Sequence, residues 1–344
     1  MKSNRSFIWV LAVASLALLV LFLVASSVAA GPPSARAGDA AGARTAWSSG
    51  WVSINRDETL SFTHNLGRTP EEYAVELWFR DTDGGMGINR YGYGGLEATG
   101  AWYGAHWQNL TDNTIQVYRQ PDDVAADMIR ILVWVPPTTP DYDSGWTDID
   151  PGQTLTLSHD LAITATDLTV AVWFSGTLGI HHYAYGGLAI DAPPALRGAY
   201  WHNLTDTSVQ VTRQADDTDV EQIRVTVVQA TTPDYDSLVA LGAWQSIAPG
   251  TVFTFTHGLA WSPDMLLVRG ECYDPTPGGL GLHHKYGGGN HDSTVGWQGT
   301  HIQNLTRNTV TIARQANDSV CPQSRVIIIR RRVQTYLPFV LRSF

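Results

Sequence analysis

The sequence contains few cysteines, and both lie towards its C-terminal end. Of 344 residues, only Cys272 and Cys321 are cysteines. A disulfide framework like that of small exported domains is therefore excluded for most of the chain. We expect these two cysteines to form one local disulfide, with two separate buried thiols as the alternative.

The sequence also lacks the short motifs that carry catalysis. It has no Gly-x-Ser-x-Gly nucleophile elbow, no His-Glu-x-x-His helix and no phosphate-binding glycine loop that leads into a helix. The adjacent acids at 122–123 and 216–217 become Asn317 and Asp318 in the corresponding third segment. We therefore expect no enzymatic activity.

An excess of basic residues is missing as well. The chain has 22 Lys and Arg residues against 32 Asp and Glu residues, a formal net charge of −10. Binding to phosphate backbones requires a basic face. Nucleic acid is therefore not an expected partner.

The one long apolar run stands at the N-terminus. Lys2 and Arg5 precede an apolar stretch from Phe7 to Ala30, which is typical of an export signal. We predict a signal peptide at 1–30, with an uncleaved membrane anchor as the alternative because the run is long enough to span a bilayer. Either case places the rest of the chain outside the cytoplasm, secreted or at the cell surface.

Most of the remaining sequence repeats itself three times. The phrases "HWQNLTDNTIQVYRQPDD", "YWHNLTDTSVQVTRQADD" and "HIQNLTRNTVTIARQAND" start at His106, Tyr200 and His301. Three copies of one unit of about 90 residues explain them, joined by the similar segments "TTPDYDSGW" and "TTPDYDSL". The predicted division is a linker at 31–46, repeat 1 at 47–137, a joint at 138–145, repeat 2 at 146–230, a joint at 231–242, repeat 3 at 243–334 and a tail at 335–344. The tail is expected to be a sorting tag or a last strand.

Within each repeat, apolar residues alternate with polar ones. "TLSFTH", "TLTLSH" and "VFTFTH" show this period of two, as do "YAVELWF" and "TIQVYR". No segment inside the repeats shows a helical period. The sequence thus predicts an all-β protein of three tandem antiparallel β-sandwich domains, and not the blades of one propeller.

Two groups of residues in the repeats are candidates for binding. The first is an arginine four positions before an aspartate, which can bind vicinal hydroxyls or form a salt bridge within its own hairpin, tied to Arg130, Arg224 or Arg325. The second is a glycine-rich aromatic loop with nearby tryptophans, which can stack on a sugar or pack as core. The candidate ligand-binding residues are Arg119, Asp123, Tyr93, Trp107, Arg213, Asp217, Tyr185, Trp201, His182, Arg314, Asp318, Tyr286 and His284.

Cofactors and metals are not expected. The pairs His181–His182 and His283–His284 suggest metal ligands, but neighbours on a strand point to opposite faces. "DYDSG" and "DTDGG" resemble calcium loops without the full run of oxygen ligands, so calcium is kept only as the alternative to plain turns. The Asn-Leu-Thr sequons at Asn109, Asn203 and Asn304 are predicted to form turns, with glycosylation as the alternative.

The order of these motifs resembles that of H-type lectin-like repeats of exported bacterial proteins. The resemblance rests on the tryptophan that opens each repeat, the "THNLG" segment, the "NLT" turn with its following arginine and the last "RILVW" strand. It implies six-stranded β-sandwiches that bind galactose-type sugars at the edges of a trimer. The repeats have "YRQPDD", "TRQADD" and "ARQAND" where that family has a sugar-contact hairpin.

We therefore expect a non-catalytic extracellular protein that binds glycans multivalently, in surface recognition or adhesion. Three copies of one chain segment suggest an intramolecular pseudo-trimer or a homo-oligomer. One alternative is a structural surface protein without a soluble ligand, and another is an adhesin that binds protein.

Overall fold

A computed structural model describes residues 45–331 except 99–100, 188, 191–194, 230–231, 285–289 and 293–295. The predicted signal peptide and tail lie outside these residues. The described residues fall within one compact unit, Arg44–Phe344. Among them, no helix is both long and apolar enough to cross a membrane.

The structure is all-β, as the alternating patterns predicted. Repeat 1 comprises the strands β1 Ala46–Ser48, β2 Val52–Ser53, β3 Thr59–Thr63, β4 Ala74–Arg80, β5 Ile88–Asn89, β6 Leu96–Ala98, β7 Ala101–Tyr103, β8 Ala105–Gln108, β9 Thr114–Arg119 and β10 Met128–Trp134. Repeat 2 comprises β11 Tyr142–Asp143, β12 Thr147–Asp148, β13 Thr154–Ser158, β14 Leu168–Gly176, β15 Gly179–His181, β16 Ala189–Ile190, β17 Ala195–Leu196, β18 Ala199–His202, β19 Ser208–Arg213 and β20 Val220–Gln229.

Repeat 3 follows the same order and adds one short helix. Its elements are β21 Tyr235–Asp236, helix α1 Ser237–Leu241, β22 Gln245–Ser246, β23 Val252–Thr256, β24 Leu266–Asp274, β25 Gly281–His283, β26 Asn290–Asp292, β27 Gly296–Gln298, β28 Thr300–Gln303, β29 Thr309–Arg314 and β30 Gln323–Arg330. Short 3₁₀ turns at Pro70–Glu72, Ala165–Asp167 and Pro263–Met265 precede β4, β14 and β24. The joints are not bare linkers, because β11 and β21 pair within the sheets.

Each repeat folds into two antiparallel sheets and a hairpin. In repeat 1, a five-stranded sheet has the order β1-β10-β4-β5 with β2 beside β10, and a three-stranded sheet has the order β3-β9-β8. Repeats 2 and 3 have the same two sheets. The hairpins β6–β7, β16–β17 and β26–β27 contact one another through β6, β16 and β26.

Neighbouring repeats continue each other's sheets. At the boundary of repeats 1 and 2, the Asn109 and Leu110 amides donate to the Leu178 and Ile180 carbonyls at 3.0 and 3.2 Å, and the His182 amide donates to the Trp107 carbonyl at 3.1 Å. The corresponding bonds join Asn203, Leu204 and His284 to Leu280, Leu282 and Trp201, and join Asn304, Leu305 and Arg90 to Met86, Ile88 and Ile302. The third set connects repeat 3 to repeat 1, so the chain closes into a ring.

The prediction of three tandem β-sandwich domains is wrong. The six small sheets form a six-bladed β-propeller, to which each repeat contributes two blades. A repeat of about 90 residues is twice the usual blade length. The prediction assumed one blade per repeat, and the length fits a propeller because each repeat forms two blades. Closure gives the edge strands β5, β8, β15, β18, β25 and β28 a partner, so they do not present free edges.

The inner strands show why the repeats are not independent. In a separate sandwich, one face of β4 would contact water, but Glu76 and Trp78 are buried, and so are Leu77 and Phe79 on the opposite face. Trp78 packs in the core cluster of repeat 3, with Ile302. Burial of both faces explains the nearly continuous apolar run "LTVAVWF" in β14.

Candidate functional site

The predicted Arg–Asp pairs are buried inside each repeat. Arg119 Nε donates to Asp123 Oδ2 at 2.8 Å and Arg119 Nη1 donates to the Ile54 carbonyl at 2.7 Å, while Asp123 Oδ1 accepts from the Gly104 amide at 2.7 Å. The same contacts join Arg213 and Asp217 to Ile149 and Gly198, and Arg314 and Asp318 to Ile247 and Gly299. Asp123 is fully buried. These contacts favour the salt-bridge alternative over sugar binding.

The arginines proposed as partners for those pairs lie instead at the boundaries between repeats. Arg224 pairs with Asp143 of its own repeat at 2.5 Å and donates to the Glu71 carbonyl of repeat 1 at 2.6 Å. Arg325 makes the equivalent contacts with Asp236 and the Thr166 carbonyl, and Arg130 pairs with Asp264. The second acid of each joint, Asp143 or Asp236, therefore binds an arginine, while the first, Asp141 or Asp234, accepts from a backbone amide.

The Asn-Leu-Thr turn is the connection between repeats. Asn109, Asn203 and Asn304 have φ values of 47–50°, a left-handed conformation that asparagine tolerates. This conformation directs the asparagine and leucine amides to the next repeat, and the Thr205 hydroxyl accepts from the Ser208 amide at 3.0 Å. The sequons are thus explained by ring closure without a sugar.

The predicted aromatic and histidine candidates converge on the ring axis. A cavity of about 100 Å³ is lined from all three repeats by Tyr93, Trp107, His182, Tyr185, Trp201 and His284. Tyr286 lies outside the described residues. Ligand pockets measure about 300–1,000 Å³, so the axial cavity is too small for a glycan.

The axial rings pack closely against one another. His182 stacks on Tyr185 with ring centroids 4.1 Å apart, and it lies parallel to Trp107 at 5.5 Å. His284 Nδ1 and the Tyr185 hydroxyl are 2.6 Å apart. Burial lowers the pKa of His284 to about 3, with further lowering by Arg269 and Arg90, so the ring is neutral at physiological pH.

A larger cleft opens on the boundary between repeats 2 and 3. Its volume is about 700 Å³, and it is lined by Ala165, Thr166, Asn203, Leu204, Thr205, Ser208, Gln210, Trp244, Tyr273, Gly281 and Leu282. Trp244 and Tyr273 lie side by side with ring centroids 5.3 Å apart. Both rings are half-buried. The opposite side of the cleft is the Asn-Leu-Thr turn of repeat 2 and its following strand, β19.

The cleft differs from the equivalent boundaries at the position that faces the opening tryptophan of the next repeat. Trp146 Nε1 donates to Glu71 at 3.1 Å and Trp51 Nε1 donates to Asp264 at 2.9 Å, each across a boundary. The residue of repeat 2 that corresponds to these acids is Thr166. Within the described residues, Trp244 Nε1 has no hydrogen-bond acceptor, and this indole faces a cleft that already contains an aromatic partner.

The cleft also offers amide and hydroxyl groups. Asn203 Nδ2 donates to Gln210 Oε1 at 2.9 Å, which leaves Asn203 Oδ1 next to Gly281. Thr166, Ser208 and Gln210 contribute further donors and acceptors. Sequence reasoning missed this site. The available signal was the exchange of Glu71 and Asp264 for Thr166 in aligned repeats, but its meaning depended on knowing which tryptophan lies opposite.

Within the described part of the chain, the "DTDGG" motif and the histidine pairs make hydrogen bonds inside the protein. Asp81, Asp83 and Asp127 approach one another within 4.8 Å, but Asp81 accepts from the Gly84 and Met86 amides at 2.6 and 3.0 Å and so closes its own loop. The first histidine of each pair binds backbone in its own repeat: His181 contacts the Gly179 carbonyl, and His283 contacts the Val320 carbonyl.

Cys272 and Cys321 form a disulfide, with their Cα atoms 5.1 Å apart. It links β24 to the loop before β30, inside repeat 3. It joins two parts of repeat 3 and does not cross a boundary between repeats.

Comparisons with protein-family models, with curated proteins and with solved structures gave no match to this chain.

Proposed function

We propose that this chain is a non-catalytic, exported carbohydrate-binding protein whose sugar site is the cleft between repeats 2 and 3. The proposal rests on two half-buried rings, Trp244 and Tyr273, that lie side by side in the cleft. The indole N–H of Trp244 has no protein acceptor among the described residues. A sugar ring has an apolar C–H face that packs on aromatic rings and hydroxyls that need polar partners.

The composition of the cleft supports this chemistry. Its volume of about 700 Å³ lies within the range of small-molecule sites, about 300–1,000 Å³. Thr166, Ser208 and Asn203 place hydroxyl and amide groups opposite the rings, and the lining contains no charged side chain. Neutral polar groups of this kind suit a neutral saccharide.

The proposed sugar site lies at one boundary between repeats, and the other two boundaries do not carry an equivalent site. Trp51 and Trp146 use their indole N–H groups within the protein, and Arg80 covers Trp51 with its guanidinium 4.3 Å from the ring centroid. Equal multivalent binding by all repeats is therefore not part of the proposal, although surface recognition or adhesion by an extracellular protein still is.

One observation favours a structural surface protein as the second candidate. The recurring candidates, among them Tyr185, Trp201 and Arg213, are buried within and between the repeats. A protein that needed only to build a rigid ring would use them in the same way. A structural surface protein would not need the half-buried rings of Trp244 and Tyr273, and these rings therefore favour a binding protein.

The test is a glycan-array screen of the purified protein and of two matched variants, Trp244→Ala and Trp146→Ala. We expect selective glycan binding by the wild type and by Trp146→Ala, and at least a tenfold loss of binding in Trp244→Ala, since only that variant removes a ring of the cleft. Circular dichroism of each sample establishes that it is folded.

Two results would overturn the proposal. Glycan binding that Trp244→Ala retains would place the sugar site elsewhere on the ring. Absence of binding by the folded wild type on the array would favour the structural surface protein.

A further inference from the structure

The axial cavity is lined by different charges from each repeat. Strands β4, β14 and β24 present Glu76, Ala171 and Arg269 at equivalent positions. The residues before each glycine-rich loop are Arg90, His182 and His284. The axis is therefore not threefold symmetric in charge.

Both carboxylates of the lining already have an arginine partner. Glu76 forms an ion pair with Arg90, whose guanidinium lies 4.2 Å from the centroid of the Trp78 ring. Glu271 lies 3.5 Å from Arg325, which also binds Asp236. Burial raises the pKa of Glu271 to about 7, against the opposing effects of Arg325 and Arg269, so its negative charge is reduced near neutral pH.

Arg269 is the exception. Among the described residues it has no ion pair and no hydrogen bond, although it lines the cavity. Burial lowers its pKa, and the nearby Glu271 carboxylate partly opposes this effect, but an arginine stays protonated. The side chain is only half-buried, and a small anion would give its guanidinium the hydrogen-bond acceptor that no described residue supplies.

The other polar groups around Arg269 can donate hydrogen bonds to an anion. His182 and His284 are neutral because burial lowers the pKa of both rings. His182 is nine-tenths buried, and its Nδ1 has no hydrogen-bond partner. The Tyr185 hydroxyl, which contacts His284, faces the same cavity.

We propose that the axial cavity binds one small oxyanion, such as phosphate, sulfate or a short carboxylate, through the Arg269 guanidinium. Guanidinium groups bind oxyanions with paired hydrogen bonds, and a cavity of about 100 Å³ limits the ligand to an ion of this size. The anion would join three repeats at their common axis. This inference is independent of glycan binding, since it uses none of the cleft residues.

The test measures urea unfolding of the whole protein in Tris buffer with phosphate, sulfate or acetate, each replacing chloride at constant ionic strength. An anion that binds only the folded ring stabilises it by mass action, so the folding equilibrium constant should rise by about tenfold when its concentration is ten times Kd. The rise should be saturable and should be unchanged in Arg56→Ala, which removes an exposed arginine.

The decisive variant is Arg269→Ala, because repeat 2 has Ala171 at this position. We expect it to lose the saturable anion effect and to be at least as stable as the wild type in chloride. Arg269→Gln, which keeps the length and loses the charge, should behave in the same way.

The proposal is overturned if both Arg269 variants retain the saturable rise. It is also overturned if every protein shows only the unsaturated stabilisation that excluded salts give, or if both variants are strongly destabilised in chloride, which would make Arg269 a structural residue.

Discussion

At the residue scale, the arginines of this protein have separate roles that the repeated motif does not distinguish. Arg119, Arg213 and Arg314 hold hairpins inside the repeats, while Arg130, Arg224 and Arg325 bind across the boundaries. Arg90 and Arg269 face the axis. The position of each arginine relative to a sheet edge or to the axis determines which of these roles it has.

Arg213→Ala should destabilise the protein without a specific effect on ligand binding. The substitution leaves Asp217 buried without its cation, which typically costs about 3–5 kcal/mol. Urea unfolding measures the loss, and Arg56→Ala, at an exposed position, should change the free energy of unfolding by less than about 0.5 kcal/mol. If Arg213→Ala abolished glycan binding at unchanged stability, the Arg–Asp pair would be a ligand site after all.

Buried histidines should make the ring sensitive to acid. Burial lowers the pKa of His106 to about 4 from 6.5, with a smaller opposing effect of its hydrogen bond to Gln108. Because the folded-state pKa is the lower one, the stabilisation is complete above pH 6.5 and is lost as the pH falls towards 4. The loss is on the order of 3 kcal/mol at pH 4.

His106→Gln tests this effect, since glutamine cannot take up the proton. Urea unfolding at pH 7 and pH 4 should show a smaller fall in stability for the variant, by on the order of 3 kcal/mol. The comparison at pH 7, where both side chains are neutral, controls for changes in packing. An equal fall in both proteins would assign the acid sensitivity to other groups, such as His301, whose pKa burial also lowers to about 4.

At the scale of elements, the ring depends on how the Asn-Leu-Thr turn meets the short strand of the next repeat. Gly179 begins β15 with φ of 64°, and a Cβ there would lie 2.8 Å from Asn109 Oδ1. Gly281 meets Asn203 in the same way, at 2.9 Å. Glycine is required here both by the backbone angle and by the close approach of the turn.

Gly179→Ala should therefore cost more stability than an alanine at an equivalent backbone angle elsewhere. Gly145 is the matched control, since its φ is 61° and nothing lies within 4 Å of a Cβ at that position. We expect Gly145→Ala to cost about 1 kcal/mol from the left-handed backbone, and Gly179→Ala to cost about 1–3 kcal/mol more from the contact with the turn. Thermal or urea unfolding measures both, and equal costs would show that the turn is not tightly packed.

The strands could be predicted from the sequence because alternation is a local signal. Leu77 and Phe79 point inward as the pattern indicates. The other face of β4 packs against a different repeat, since Trp78 contacts residues of repeat 3. The sequence of repeat 1 alone could not show this contact. The run "LTVAVWF" in β14 contained a signal for burial of both faces, but the length of the repeat favoured separate domains.

The candidate site was less predictable for the same reason. The candidates Tyr93, Tyr185 and His182 were predicted from the glycine-rich aromatic loops, and they line the small axial cavity. The cleft brings together Thr166 of one repeat and Trp244 of another. Such a juxtaposition depends on the ring and not on any motif within a repeat.

At the scale of the whole molecule, the ring combines a repeated frame with unequal boundaries. Backbone hydrogen bonds join the repeats in the same way three times. The side chains at the boundaries differ: Glu71 and Asp264 bind tryptophans at two of them, and Thr166 leaves Trp244 available at the third. We propose that this exchange, together with the Tyr273 ring beside Trp244, creates the sugar site.

The most direct measurement is the glycan-array profile of Thr166→Glu, which gives Trp244 the carboxylate that Trp146 has in Glu71. We expect Thr166→Glu to fold, to keep its stability and to lose glycan binding by at least tenfold, while the control Glu71→Thr, at the boundary of repeats 1 and 2, retains the wild-type profile. Wild-type binding by Thr166→Glu would contradict the assignment of the cleft.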